Sequence, residues 1–181
     1  MLRLMGWRMV GSFTDVRKCI LIFAYHTSNW DFPISLAVKL ALNAQVSWIA
    51  KDSLFWWPFG VVLKKLGGIA VNRSLSMDLV NQVVGEFQRK EYFVLGLAPE
   101  GTRQKVSRWK TGFYFIALKA KVPIQPIAFD YANRSFVFGP LLHPSGDFHQ
   151  DMEELKRFFR PFEPRHPEMA DKDFATDPPL G

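Results

Sequence analysis

The chain has 181 residues, 48% of them hydrophobic and 15% aromatic, with a formal net charge of +6. That length supports one domain with a real core, and the composition excludes a disordered or fibrous chain. A single cysteine, Cys19, excludes an internal disulfide and a Cys-rich metal site, and no apolar run approaches the ~20 residues that span a bilayer.

The N-terminal MLRLMGWRMV holds no uninterrupted apolar core of signal-peptide length. It alternates Leu, Met and Trp with Arg3 and Arg8, a composition suited either to lying in lipid head groups or to docking a chain end. CILIFAY (19–25) is a continuous apolar run, as in a strand buried on both faces. DFPISLAVKLALN (31–43) reads as a helix, with Pro33 tolerated in its first turn. VSWIAK (46–51) is a short strand. SLFWWPFGVVLKKLGG (53–68) is helical in part and stops at Gly67-Gly68. Its LFWWPF cluster can serve as ordinary core or place two tryptophans at a lipid interface. IAVNR (69–73) is another strand, and Ser76 caps a helix running to about Lys90.

YFVLGLAPE (92–100) is a strand entering a loop, and Trp109 to Lys121 form a further helix. PIQPIAFDY (123–131) and RSFVFGPLLH (134–143) are joined so tightly that they read as antiparallel neighbours. DMEELKRFFR (151–160) is a late amphipathic helix. Residues 163–181 are Pro-rich and polar and read as a mobile tail after a domain at 1–162. That tail carries five acids and two bases, so the body keeps a balance of +9, which suits an anionic partner.

The alternation predicts an α/β domain with a mostly parallel sheet and an antiparallel edge. Chemistry in such sheets gathers beyond the carboxyl ends of the strands. Three polar clusters fall there: His26 to Asp31, Asn72-Arg73, and Glu100 to Arg103. A neutral imidazole takes a proton from a hydroxyl near pH 7, best when a carboxylate steadies its other nitrogen. The spacing alone equally allows His26 to end a strand while Asp31 serves a helix N-terminus. In PEGTR (99–103), Gly101 admits close backbone approach, Thr102 offers a hydroxyl and Arg103 a fork suited to phosphate. Lys105, Arg108, Lys110, Lys119 and Lys121 follow, with no acid between Glu100 and Asp130; a solvated basic face explains them as well. No phosphate loop, nucleophile elbow or His-Glu-x-x-His motif occurs, and no histidine spacing suggests a metal.

Together, H-x-x-x-x-D at His26–Asp31, GGIAVNR ending at Arg73, PEGTR at 99–103 and VPIQP at 122–126 resemble, in order, four blocks of the lysophospholipid acyltransferase family, of which 1-acyl-sn-glycerol-3-phosphate acyltransferase is the best-known type. The blocks span roughly residues 20–130. The resemblance implies a single-domain glycerol-3-phosphate acyltransferase-like fold and transfer of a fatty acyl group from acyl-CoA or acyl-carrier protein to a lysophospholipid hydroxyl. It implies His26 as base with Asp31 orienting it, and Arg73, Glu100, Gly101, Thr102 and Arg103 as the acceptor's binding residues. It further implies no bound cofactor and peripheral attachment at the cytoplasmic face of a membrane without a transmembrane helix; residue supply disfavours a metal, and the acid Glu100 beside the basic stretch, with no recognised binding module, disfavours a nucleic acid partner. Ala98, Gln104, Asn72 and Gln125 depart from the family pattern, which leaves open a different lysolipid acceptor such as a lyso-aminolipid. Non-catalytic binding of anionic lipid or nucleic acid is the remaining alternative.

Overall fold

The computed structural model describes residues 6–71, 76–170 and 172. Seven strands form one mixed sheet: β1 (Arg8–Val10), β2 (Lys18–Ala24), β3 (Val46–Lys51), β4 (Gly68–Val71), β5 (Phe93–Leu97), β6 (Ile124–Asp130) and β7 (Ser135–Phe138). Five helices join or flank them: α1 (Asp31–Ala41), α2 (Phe59–Lys65), α3 (Ser76–Arg89), α4 (Gly112–Ala120) and α5 (Phe148–Phe159). The strand order is β1-β7-β6-β2-β5-β3-β4. All pairs from β6 to β4 are parallel, β6 and β7 are antiparallel, and β1 pairs parallel with β7 at the outer edge.

The central position of β2 explains why its sequence is apolar without alternation. Cys19 and Leu21 face a core completed by Ile34, Ala37 and Val38 of α1. Ile20, Ile22 and Ala24 face the opposite core, with Phe87 of α3, Phe113 of α4 and Phe159 of α5. A strand covered on both faces has no polar side to declare.

The predicted α/β class and the antiparallel β6–β7 edge are both present. The differences are local. The first three-residue strand was not predicted, because an exposed edge segment this short shows no periodicity. The last helix starts at Phe148, ahead of the predicted Asp151, because the Asp147 carboxylate caps it by accepting from the Gln150 N–H at 3.0 Å. The predicted strand 69–73 is described to Val71; Asn72 and Arg73 lie outside the described residues, as do 173–181 of the tail.

Gln125, the polar departure within VPIQP, is 2% exposed in the middle of β6. Its Nε2 donates to the carbonyls of Ser12 (2.9 Å) and Gly139 (3.0 Å), and its Oε1 accepts from the Thr14 N–H at 3.1 Å. One amide thus staples the strandless segment after β1, and the turn after β7, to the sheet. Gln125→Leu keeps the volume but strands three backbone groups. Since each such group costs about 1–3 kcal/mol, thermal or denaturant unfolding of this variant is expected to show a loss of about 3 kcal/mol or more. An unchanged melting curve would show that water replaces the amide without cost.

Candidate active site

Strand order brings the sequence clusters together. β2 lies between β5 and β6, with Ile22 level with Leu97 and Ala24 level with Ala128. The loop after β2 therefore meets the PEGTR loop on one side and the end of β6 on the other. Side by side, parallel strands deliver their C-terminal loops to one rim.

His26 and Asp31 make the central contact, with Nδ1 to Oδ2 at 2.8 Å. An imidazole nitrogen facing a carboxylate acts as donor, so Nδ1 carries a proton, and in the neutral ring the lone pair is on Nε2. Asp31 is 1% exposed at the start of α1. Its Oδ2 also accepts from the Ser28 N–H at 3.0 Å, and its Oδ1 from the Tyr131 hydroxyl at 2.6 Å. Three donors, two from the loop before α1 and one from just past β6, compensate its loss of water. Burial, followed by the Asp31 contact, pushes the Tyr131 phenol above its usual range, so it remains a donor. Trp7 meets the Tyr131 ring edge-on at 4.9 Å, and this is how the chain's N-terminal segment supports the site.

Glu100 is buried as well. Its Oε2 accepts the backbone N–H of His26 at 2.9 Å, and its Oε1 has no partner among the described residues. Burial, opposed by the His26 hydrogen bond and reinforced by the charge of Asp31, raises its carboxyl from the ordinary 4.5 to about 7. Gly101 adopts φ +68°, a left-handed conformation that turns the loop sharply after Glu100. Thr102 Oγ1 accepts from the Gln104 N–H at 3.3 Å.

A cavity of about 1230 Å³ runs past this rim. His26, Asp31, Gly101, Thr102 and Arg103 line it, together with Lys110 and Lys119 from the basic stretch. Its walls are otherwise mainly apolar, among them Phe23, Phe32 and Phe129. Of the sequence-predicted residues, the structure gathers His26, Asp31, Glu100, Gly101, Thr102 and Arg103. Glu100 is set apart from the others: it braces the His26 backbone and does not line the cavity. Arg73 lies outside the described residues.

Sequence reading missed Tyr131 and Arg165. Tyr131 sits 100 residues from Asp31, and nothing local marks the pairing. Arg165 belongs to the stretch read as tail, yet residues 163–170 cross the His26–Asp31 loop. The Glu163 carbonyl accepts from the Tyr131 N–H at 2.8 Å, and the His166 N–H donates to Thr27 Oγ1 at 3.2 Å. The Arg165 guanidinium lies 5.6 Å from the Trp30 ring. Arg103 and Arg165 flank a smaller cavity of about 460 Å³. Cys19, in contrast, is fully buried and its thiol is pushed up to about 12, which makes it inert as a nucleophile.

Fold and site thus define an α/β protein with a hydrogen-bonded histidine–aspartate pair on a large, mainly apolar cavity and arginine at its rim. The family model described as Acyltransferase matches residues 12–130, and the chain belongs to that family. Over 120 residues it is 26% identical to human 1-acyl-sn-glycerol-3-phosphate acyltransferase beta, covering 64% of this chain and 42% of that protein. The chain therefore spans about two-fifths of that relative's length. Its fold matches the crystal structure of the 1-acyl-sn-glycerophosphate (LPA) acyltransferase PlsC from Thermotoga maritima, with a TM-score of 0.59 at 20% identity over 87% of this chain and 73% of the other.

Two predictions concern groups behind the histidine. Tyr131→Phe removes one donor to a buried carboxylate, a hydrogen bond worth about 1.5–3 kcal/mol. A fall of roughly tenfold in kcat with an unchanged acceptor KM is expected, and no further fall when the change is added to Asp31→Asn. Additive losses would show that Tyr131 acts apart from the pair. Glu100 bears on stability. Its folded-state value exceeds the unfolded one, so the folded protein holds the extra proton between about 4.5 and 7. Stability contributed by this group is full below 4.5 and lost as pH rises through 7. Unfolding of the wild type across that window should show a decline on the order of 3 kcal/mol that Glu100→Gln lacks. Parallel profiles for the two proteins would contradict the assignment.

Proposed function

We propose that the protein is an O-acyltransferase that moves a fatty acyl group from a thioester, acyl-CoA or acyl-carrier protein, to the hydroxyl of a lysophospholipid such as 1-acyl-glycerol 3-phosphate. The observation that carries this reading is the orientation of His26. Its Nδ1 is committed to Asp31 while the ring lines the large apolar cavity. Nε2 takes the proton of the acceptor hydroxyl as its oxygen attacks the thioester carbonyl. Collapse of the tetrahedral adduct breaks the C–S bond, and the imidazolium returns the proton to the departing thiolate. Asp31 stabilises the imidazolium between those steps. General base assistance of this kind contributes about 10²–10⁴ in rate. No acyl-enzyme is required, in keeping with the inert Cys19.

Arg103 supplies the fork that holds the acceptor's phosphate, with Gly101 and Thr102 shaping its approach and Arg73 contributing a second cation. Glu100 serves the acceptor indirectly, by fixing the backbone that carries the base. A cavity of about 1230 Å³ exceeds the ~300–1,000 Å³ of ordinary small-molecule pockets, which suits a long acyl chain. No helix among the described residues is long and apolar enough to cross a membrane. The reading assigns the reaction to a peripheral protein at the cytoplasmic face, where lysolipids and acyl thioesters meet.

A panel of lysophospholipids and lyso-aminolipids, with labelled acyl-CoA and acyl-carrier protein as donors, identifies acceptor and donor. His26→Ala should lose at least 10² of the rate while its circular dichroism stays native; turnover like the wild type would remove the proposed base. Arg103→Ala should raise the acceptor KM about 10–100-fold, as loss of a charge-assisted contact does, while Lys119→Ala changes it only a few-fold. Equal losses would point to a diffuse basic surface.

A further inference from the structure

The segment from Leu54 to Val62 leaves six large apolar side chains in solvent. Trp57 is 81% exposed, Trp56 60%, Phe59 56% and Val62 55%, and Leu54 and Val61 are exposed beside them. Of the two sequence readings of LFWWPF, core packing therefore fails for both tryptophans. A contiguous exposed apolar patch of this kind marks a contact surface.

The patch is held in shape from below. An added Cβ at Gly60 would lie 2.2 Å from the Phe55 carbonyl oxygen, so only glycine lets α2 close down on the preceding turn. The Trp56 and Phe59 rings pack 4.8 Å apart on its outer side. Lys39 Nζ, at the end of α1, donates to the carbonyls of Val46 (2.8 Å) and Leu66 (2.5 Å) and ties down the far end of α2.

Two further observations select the occupant. The first is charge: residues 53–77 contain Lys64, Lys65 and Arg73 and no acid, and both lysines are exposed on the last turn of α2. An anionic surface complements that arrangement. A second copy of the chain would set like charges against each other across a two-fold axis. The second is continuity: Leu54 and Leu63 line the cavity that contains His26, so the patch borders the cavity's mouth.

We propose that residues 54–65 are the surface by which the protein docks on an anionic lipid bilayer, with Trp56, Trp57 and Phe59 seated at head-group depth and Lys64 and Lys65 against lipid phosphates. Indole rings favour that depth, where one edge is apolar and the other wet. Short amphipathic elements lie in the interface without crossing it. The inference rests on the acyltransferase reading only where it uses the cavity, and it gives that cavity a direct route for a single-chain lipid and a long acyl group.

The test uses the full chain without substrates and vesicles of phosphatidylcholine, with or without phosphatidylglycerol. Binding is followed by co-sedimentation, and depth by quenching of tryptophan fluorescence with brominated acyl chains. Binding to the mixed vesicles with quenching is expected. Trp57→Ser should reduce the partition coefficient about tenfold, and Trp56→Ser with Phe59→Ser by more. Lys64→Ala and Lys65→Ala should each cost about fivefold, on phosphatidylglycerol vesicles only. Turnover of a short-chain, monomeric acceptor should stay at the wild-type level in Trp57→Ser. Equal partition of wild type and Trp57→Ser overturns the proposal, as does a change from dimer to monomer in Trp57→Ser with vesicle binding unaltered. The two readings separate cleanly. Vesicle binding through the patch by a chain that acylates no lysolipid overturns only the acyltransferase reading. Acyl transfer with patch-independent binding overturns only the docking surface.

Discussion

The carboxylate of Asp31 is the point on which the site is assembled. A side chain 1% exposed would be costly as an anion if its oxygens lacked donors. Two of its donors come from the loop between β2 and α1, and the third from just past β6. Ser28 belongs to its own loop, His26 follows β2, and Tyr131 follows β6. To satisfy the acid, the chain must bring β6 beside β2 and fold the intervening loop back on itself. The same act sets the imidazole tautomer. Electrostatic compensation of the acid and orientation of the imidazole are therefore one constraint.

Glu100 extends that constraint to the fourth segment. β5 runs beside β2 on the side opposite β6, and its loop holds the His26 backbone through one carboxylate oxygen. The two acids of the rim differ in supply. Asp31 receives three donors, while Glu100 receives one and keeps an oxygen buried without a partner among the described residues. A raised carboxyl follows from that poverty. The glycine after it, at φ +68°, then turns the chain away so that Thr102 and Arg103 reach the cavity and Glu100 does not.

How much of this could be read in the sequence depends on how far each contact travels along the chain. His26 and Asp31 are five residues apart across a strand-to-helix turn, so their pairing is local and legible. PEGTR is legible as a unit because its glycine, hydroxyl and guanidinium are adjacent. Strand β2 declares itself by being apolar on both faces. Tyr131 is hidden, because only the neighbour order of parallel strands puts it beside Asp31, and that order is set by crossovers a hundred residues apart. Gln125 is hidden differently: it looks like an error in an apolar block until its three backbone partners are seen. For Trp56 and Trp57 the ambiguity is intrinsic. An indole in a short apolar stretch has the same composition whether it faces a core or a bilayer, and only the fold decides.

A general base needs opposite things from its two sides. Behind the ring it requires fixed charge and dense hydrogen bonding, which this protein supplies with Asp31, Ser28, Tyr131 and Glu100. In front it requires a place where an apolar reactant sits without water, which the large cavity supplies. Burying the first environment against the second is expensive wherever a polar group faces the cavity unpaired. Around the imidazole the acids and their hydrogen-bond donors gather at the carboxyl rim of the sheet, while Phe23, Phe32 and Phe129 line the cavity beside it. His26, with 19% of its side chain exposed, belongs to both. Arg103 stands at the same rim, with Lys110 and Lys119 also on the cavity, so cations there suit an anionic group while the walls suit an apolar one. The order of polar and apolar groups along the cavity, more than the strength of any single contact, would then set which part of a ligand meets Nε2.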